Sequence, residues 1–290
     1  MQTMTTTQAI DLFKTALVGN NFSPKTVRAY IDDVRQFISW LATVSVSADE
    51  PQTITRLDIN KFLGHLANKA TTGKTRYRKV VALKKFFAFL KENRIIKNNP
   101  ADTVIPPLKE KRLPHVLKKN EYKALLFEAE KNPRDYAIIQ TILQTGLRIS
   151  EVTNLTIGDI DLTNKTLTVR QGKGKVDRVI DLPDIAVVAL SAYLKVRGEG
   201  SDEKVFLSRN RKGMYVTTVR LAVHKYLKKA GISKGAVHTL RHTFGTYKSL
   251  NGVPPKILQG IMGHKKLEST LLYVHLVDTE IRAYQRNTPL

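Results

Sequence analysis

Asn98-Asn99-Pro100-Ala101-Asp102-Thr103-Val104-Ile105-Pro106-Pro107-Leu108-Lys109-Glu110-Lys111-Arg112-Leu113-Pro114 divides the chain. Four of its eleven prolines fall in this stretch. Proline has no N–H to give to a helix or a ladder, so the segment reads as an extended linker between two folding units. Its basic residues Lys109, Lys111 and Arg112 leave it well solvated. With 290 residues in all, each side is long enough to bury a core of its own.

Upstream of the linker the pattern is helical. Tyr30, Val34, Phe37, Ile38 and Leu41 share one helix face, and Ser23-Pro24 supplies an N-cap and first turn. Asp58 to Ala70 reads as another helix. A third follows, burying Val80, Leu83, Phe86, Phe87 and Leu90. Its opposite face is basic, with Lys74, Arg76, Arg78, Lys79, Lys84, Lys85 and Lys91 and only Glu92 nearby. A solvated helix face usually alternates acids with bases; here they do not alternate, which favours phosphate contact.

Downstream the pattern is mixed. Helical periodicity covers Lys119 to Lys131 and Arg134 to Thr145. Two short runs of strand character, Thr166 to Arg170 and Arg178 to Leu182, flank Gln171-Gly172-Lys173-Gly174-Lys175, whose glycines suit a hairpin. Helices resume over Ile185 to Val196, Thr217 to Ala230, His238 to Leu250 and Pro254 to Met262. No internal repeat is present.

Composition narrows the partners. Lys+Arg outnumber Asp+Glu by 48 to 25, a formal net charge of +23. Such a charge opposes compaction unless a polyanion neutralises it, so nucleic acid leads. The longest apolar run, Ile185 to Leu194, is too short for a membrane span and is interrupted by Ser191. The first residues carry no secretion signal, making the cytoplasm the expected compartment. There is no cysteine, so disulfides, thiolate zinc sites and cysteine nucleophiles are excluded.

Five pieces of the second unit carry reactive side chains: Thr145-Gly146-Leu147-Arg148-Ile149-Ser150-Glu151, Gly172-Lys173-Gly174, His238-Thr239-Leu240-Arg241-His242, Met262-Gly263-His264 and Tyr273-Val274-His275. In these pieces, order and spacing the chain resembles the tyrosine recombinase family, in particular the Xer-like branch of phage-integrase relatives. Met262 stands where leucine is more usual. The resemblance spans nearly the whole chain. It implies a mostly α protein of two domains: a helical, SAM-like core-binding domain over 1–98, the linker over 99–114, and an α+β catalytic domain with a small β-sheet and a C-terminal tail over 115–290.

The resemblance also implies roles. Tyr273 is the nucleophile, leaving a 3′-phosphotyrosine and a free 5′-hydroxyl; among ten tyrosines it is singled out by its spacing from His264. Arg148 and Arg241 offer planar forks for the phosphate, and His264 adds a donor. Lys173 is the general acid for the 5′-oxygen, with Lys175 as fallback, and His238 handles the proton near the nucleophile. Glu151 supports Arg148; the bland alternative is a surface ion pair three residues apart. The phosphate-contacting set upstream is Lys74, Arg76, Arg78, Lys79, Lys84 and Lys85. His242 and His275 read as structural or peripheral, and Gly245 and Gly263 as sites of close packing.

A metal is not expected. His238 and His242 stand four apart, but Thr239 occupies the place of a zinc-protease glutamate and nothing completes a ligand set. No cofactor is implied, since the tyrosyl ester stores the bond. The implied partner is double-stranded DNA with inverted-repeat core sites, bound by a homotetramer that passes through a Holliday junction. Some relatives act with a second recombinase. The tail, Val277 to Leu290, is expected to dock on a neighbouring subunit. A catalytically silent DNA-binding protein and a monomeric DNA-relaxing topoisomerase are the rival readings, and the target DNA stays open.

Overall fold

Two apolar clusters organise the chain, one on each side of the linker. The computed structural model describes residues 4–45, 48–108, 114–170, 177–200, 203–274 and 276. It divides into two compact units, Met1–Arg112 and Leu113–Leu290. Among the described residues no helix is long and apolar enough to cross a membrane.

The first unit is built from α1 (Thr6–Gly19), α2 (Pro24–Val44), α3 (Arg56–Asn68) and α4 (Gly73–Glu92). Their starts follow from local chemistry. Ser23 accepts from the Thr26 amide ahead of Pro24, and Thr5, Thr55 and Thr72 cap the other three, each satisfying an amide that the first turn leaves without a partner. Phe37, Phe62, Phe86 and Phe87 lie at the centre, fully buried and in ring contact. Truncating one of these to alanine would cost about 3–5 kcal/mol. Ala101 and Val104 join this core, so the first part of the proline-rich stretch is packed rather than extended.

In the second unit α6 (Pro133–Thr145) is the central helix, with every residue from Ala137 to Leu143 buried. The helix is buried on all sides over this run, and its threonines manage there by returning their hydroxyls to carbonyls one turn back, Thr141 to Ala137 and Thr145 to Thr141. Around it stand α5 (Lys119–Ala129), the short α7 (Ile149–Asn154), α8 (Asp184–Arg197), α9 (Val216–Lys229) and α10 (Val237–Leu250). Then come α11 (Pro255–Met262) and a last helical stretch, residues 268–274.

The sheet has three antiparallel strands in the order β1 (Ile160–Asp161), β2 (Thr166–Val169) and β3 (Arg178–Asp181), with Leu167 opposite Ile180 and Val169 opposite Arg178. Alternation buries Leu167 and Val169 and leaves Thr166 and Thr168 half-covered. The first strand is absent from the sequence reading because two residues are too few to show a period of two.

Candidate active site

Arg148 reaches the site because α6 ends abruptly. Gly146 closes it in the left-handed region at φ 65°, where a Cβ would run into the Phe244 ring, and the chain turns at once into α7 with Arg148 as its N-cap residue. Glu151, in the first turn of α7, accepts from the Arg148 amide and from its guanidinium, each at 2.8 Å. This is more than a surface pair. Glu151 also receives both terminal nitrogens of Arg178, at 3.2 and 2.9 Å, and lies 4.0 Å from Arg241. Burial pushes the Glu151 carboxyl up, but hydrogen bonds from Arg178 and the Arg148 amide, with the charges of both arginines, outweigh burial and hold it below its usual range.

Arg241 projects from α10 and is buried. It donates to the Gly146 carbonyl and, at 2.7 Å, to that of Met262. Burial first, then the neighbouring Arg148, brings its guanidinium down to about 10. His264 follows the end of α11 and is held by Thr270, 2.7 Å from Nδ1. Burial and the charges of Arg241 and Arg148 lower it to about 4, so its imidazole is neutral at ordinary pH.

Tyr273 stacks on His264, ring centroids 6.1 Å apart, and its hydroxyl lies 3.2 Å from His242 Nδ1. Its ring lies directly over Gly245: a Cβ there would come within 2.7 Å of the carbon that bears the hydroxyl. The side chain is 1% exposed. Burial raises its pKa, and Arg241 and Arg148 pull the other way. His242 is lowered to about 4, by burial and then by His238 and Arg241. Beside this cluster an open groove of about 690 Å³ is lined by Arg148, Ser150, Glu151, Arg170, Gly263 and Lys265.

Thus Arg148 and Glu151 from the start of α7, Arg241 from α10, His264 from beyond α11 and Tyr273 from the last helical stretch meet in one place. His238 sits exposed in the first turn of α10. Lys173 and Lys175 lie outside the described residues, as do His275 and the tail after Leu276. Two members of the cluster were not singled out from sequence. His242, read as structural or peripheral, touches the phenol. Arg178 has no local signal, because its partner Glu151 is 27 residues away.

The basic helix α4, in the first unit, needs one correction. Lys79 is buried: its Nζ is 2.6 Å from Asp33 and also bonds Gln36. It neutralises a carboxylate of α2 and is not placed for phosphate contact. Arg78 shares Asp33, Arg76 donates to the Thr71 carbonyl and Lys84 to that of Asp102. Lys74 and Lys85 are exposed, Lys85 standing 5.4 Å over the Phe22 ring.

Comparison with known proteins gives a consistent picture. The phage integrase family model matches residues 115–280, and the phage integrase N-terminal SAM-like domain matches residues 10–94. A tyrosine recombinase of Pseudothermotoga lettingae is 33% identical over 261 residues, covering 89% of this chain and 90% of that protein. The tyrosine recombinase XerC of Chlorobaculum parvum is 30% identical, covering 91% and 88%. Among solved structures, XerA recombinase matches at 30% identity and TM-score 0.56 over 98% of this chain and 99% of that one. A lambda integrase dimer bound to a COC′ core site shares the fold at TM-score 0.77 and 19% identity, covering 93% and 77%.

Proposed function

The chain belongs to the phage integrase family of tyrosine recombinases, and from that premise we propose that it cleaves and rejoins DNA at specific sites through Tyr273. The carrying observation is the Tyr273 phenol, packed on His264 and bonded to His242 beside the guanidiniums of Arg148 and Arg241. In this reading the phenol oxygen attacks the scissile phosphorus, the bond to the 5′-oxygen breaks, and a 3′-phosphotyrosine remains. Arg148 and Arg241 offset the charge that develops on the phosphate oxygens. His264, with Thr270 fixing Nδ1, offers its other ring nitrogen as a donor. Lys173 gives the departing oxygen its proton.

The buried phenol is a sheltered nucleophile, and DNA engagement has to bring its oxygen to the phosphate. His242 holds the hydroxyl beforehand. His238, one turn earlier on the exposed end of the same helix face, takes the proton when the ring moves out. The exposed Lys74 and Lys85 contact backbone phosphates. We assign the first unit, Met1–Arg112, to core binding and the second, Leu113–Leu290, to catalysis. A lambda integrase tetramer has been seen bound to a Holliday junction; the same assembly on paired inverted repeats is the form we assign here, as a homotetramer in the cytoplasm.

The test uses a duplex enriched from a random-sequence pool by binding to the wild-type chain and nicked near its centre to trap the adduct. Wild type should give a covalent protein–DNA band on a denaturing gel. Tyr273→Phe should bind the duplex equally well and give no band. A band from the Phe variant would assign the nucleophile to another tyrosine. Strand exchange between two such sites, without general relaxation of supercoiled plasmid, separates recombination from topoisomerase action.

A further inference from the structure

We propose that Arg178 is a positioning residue for the cleavage and rejoining reaction, holding the Glu151 carboxylate and the end of α11 so that Arg148 and Arg241 face the phosphate. The argument begins with the backbone of α11. Its last carbonyls lack helical partners. Gly263, in the left-handed region at φ 62°, closes the helix: the His264 amide returns to the Gln259 carbonyl and the Gly263 amide to that of Gly260, the pattern of a Schellman motif.

The next three carbonyls are taken by three arginines, one each. Arg178 Nε donates to Ile261 at 2.9 Å, Arg241 to Met262 at 2.7 Å and Arg148 to Gly263 at 2.6 Å. The negative end of the helix thereby gathers three cations. They fit only because residue 263 is glycine: a Cβ there would lie 2.8 Å from an Arg178 nitrogen and 3.4 Å from one of Arg148.

Arg178 is the member of the three whose nitrogens are all occupied. Nε is on Ile261 and both terminal nitrogens are on Glu151, whereas Arg148 and Arg241 each spend only their terminal nitrogens on the partners named above. It therefore acts on the phosphate through its neighbours. Its hydrogen bond is the largest influence opposing burial at Glu151. Without it a largely buried carboxylate keeps only Arg148 at close range, with Arg241 at 4.0 Å, and it would draw both guanidiniums inward. Three cations and one carboxylate leave a formal local charge of +2 (3 − 1); loss of Arg178 halves it as well as untying α11.

The proposal rests on the assignment of Arg148, Arg241 and Tyr273 above, and its test keeps the two apart. Arg178→Lys and Arg178→Met are compared with wild type for thermal unfolding, affinity for the enriched duplex and single-turnover adduct formation. Displacing the phosphate-binding groups by about 1 Å can cost on the order of 10²-fold in rate, so both variants should lose about that much in adduct formation at unchanged affinity. Lysine keeps the charge but cannot bridge two oxygens and a carbonyl, so it should not rescue. In an Arg148→Ala background, Arg178→Met should add little further loss.

DNA with a 5′-bridging sulfur, whose leaving group needs little protonation, should show the same defect as ordinary DNA. Full rescue by lysine, additive losses with Arg148→Ala, or rescue by sulfur would each overturn the positioning role. If methionine prevents folding, the lysine variant carries the same comparisons. A wild-type chain that forms no adduct, or a Tyr273→Phe chain that does, would instead defeat the underlying assignment.

Discussion

At the residue scale the folded chain works against the nucleophile we propose. A free phenol ionises near pH 10, and burial pushes Tyr273 higher still, so the hydroxyl stays protonated until a phosphate and a proton acceptor meet it together. The two histidines beside it are neutral but too weakly basic to take the proton, which fits them to hold the hydroxyl and the phosphate and leaves proton transfer to the exposed His238. His242 and His264 fall from 6.5 to about 4 in the folded chain. Between those values the unfolded chain binds more protons than the folded one, so stability is intact above about pH 6.5 and is lost as pH falls toward 4. Glu151, held below its ordinary 4.5, adds its own loss from about pH 4.5 downward. The urea midpoint should therefore drop from pH 7.5 to pH 5, and His242→Gln should flatten part of the slope; a midpoint unchanged over this range in wild type would refute buried neutral histidines. Gly245→Ala puts a methyl group against the Tyr273 ring. Overpacking of this kind costs about 1–3 kcal/mol, and adduct formation should fall with the melting temperature. That Tyr273 lies against His264 was legible from the resemblance. The role of His242 was not, because a histidine next to an arginine in a helix looks the same whether it packs or touches a nucleophile.

At the scale of single elements, α4 shows what a one-dimensional charge count misses. Its bases have no acids among them along the helix, yet Asp33, 46 residues before Lys79, is folded against them. Removing one partner of a buried pair typically costs about 3–5 kcal/mol. Lys79→Ala should fall toward the low end, since Arg78 still reaches Asp33, and should leave the salt dependence of DNA binding unchanged. Lys74→Ala with Lys85→Ala should do the reverse. Each phosphate contact contributes a slope of about 0.9 in log affinity against log salt, so the pair should lower it by about 1.8 with little change in unfolding. An unaltered slope would return these two lysines to ordinary solvated charge. The long helices were legible because burial imprints their period. α7, six residues long, and β1, two residues long, are too short to carry one, and they are fixed instead by Glu151 and by pairing with β2.

At the scale of the whole molecule, a formal charge of +23 is tolerable because it is distributed over two bodies, each with its own core. Among the described residues the apolar cluster of the first unit shares no member with those of the second. The prolines announced this division, but they placed it early: Ala101 and Val104 look like linker in sequence and are buried in the first core, since short apolar residues between prolines show no periodicity from which burial can be read. Independent cores predict independent folding. Fragments 1–112 and 113–290 should each unfold cooperatively, and at high concentration the second should still form the covalent adduct, since Arg148, Arg241, His264 and Tyr273 all lie within it. What the fragments lose is the tether. Once one unit holds the duplex, the other searches at an effective concentration in the millimolar range, and joining two modules commonly raises affinity by about 10²–10⁴-fold. The intact chain should exceed either fragment by that order on the enriched duplex, with an advantage that shrinks as salt weakens both units' phosphate contacts. An equimolar mixture of the two fragments that bound as tightly as the intact chain would show that the linker contributes no such coupling, and a second fragment that failed to fold would show that the two cores depend on one another.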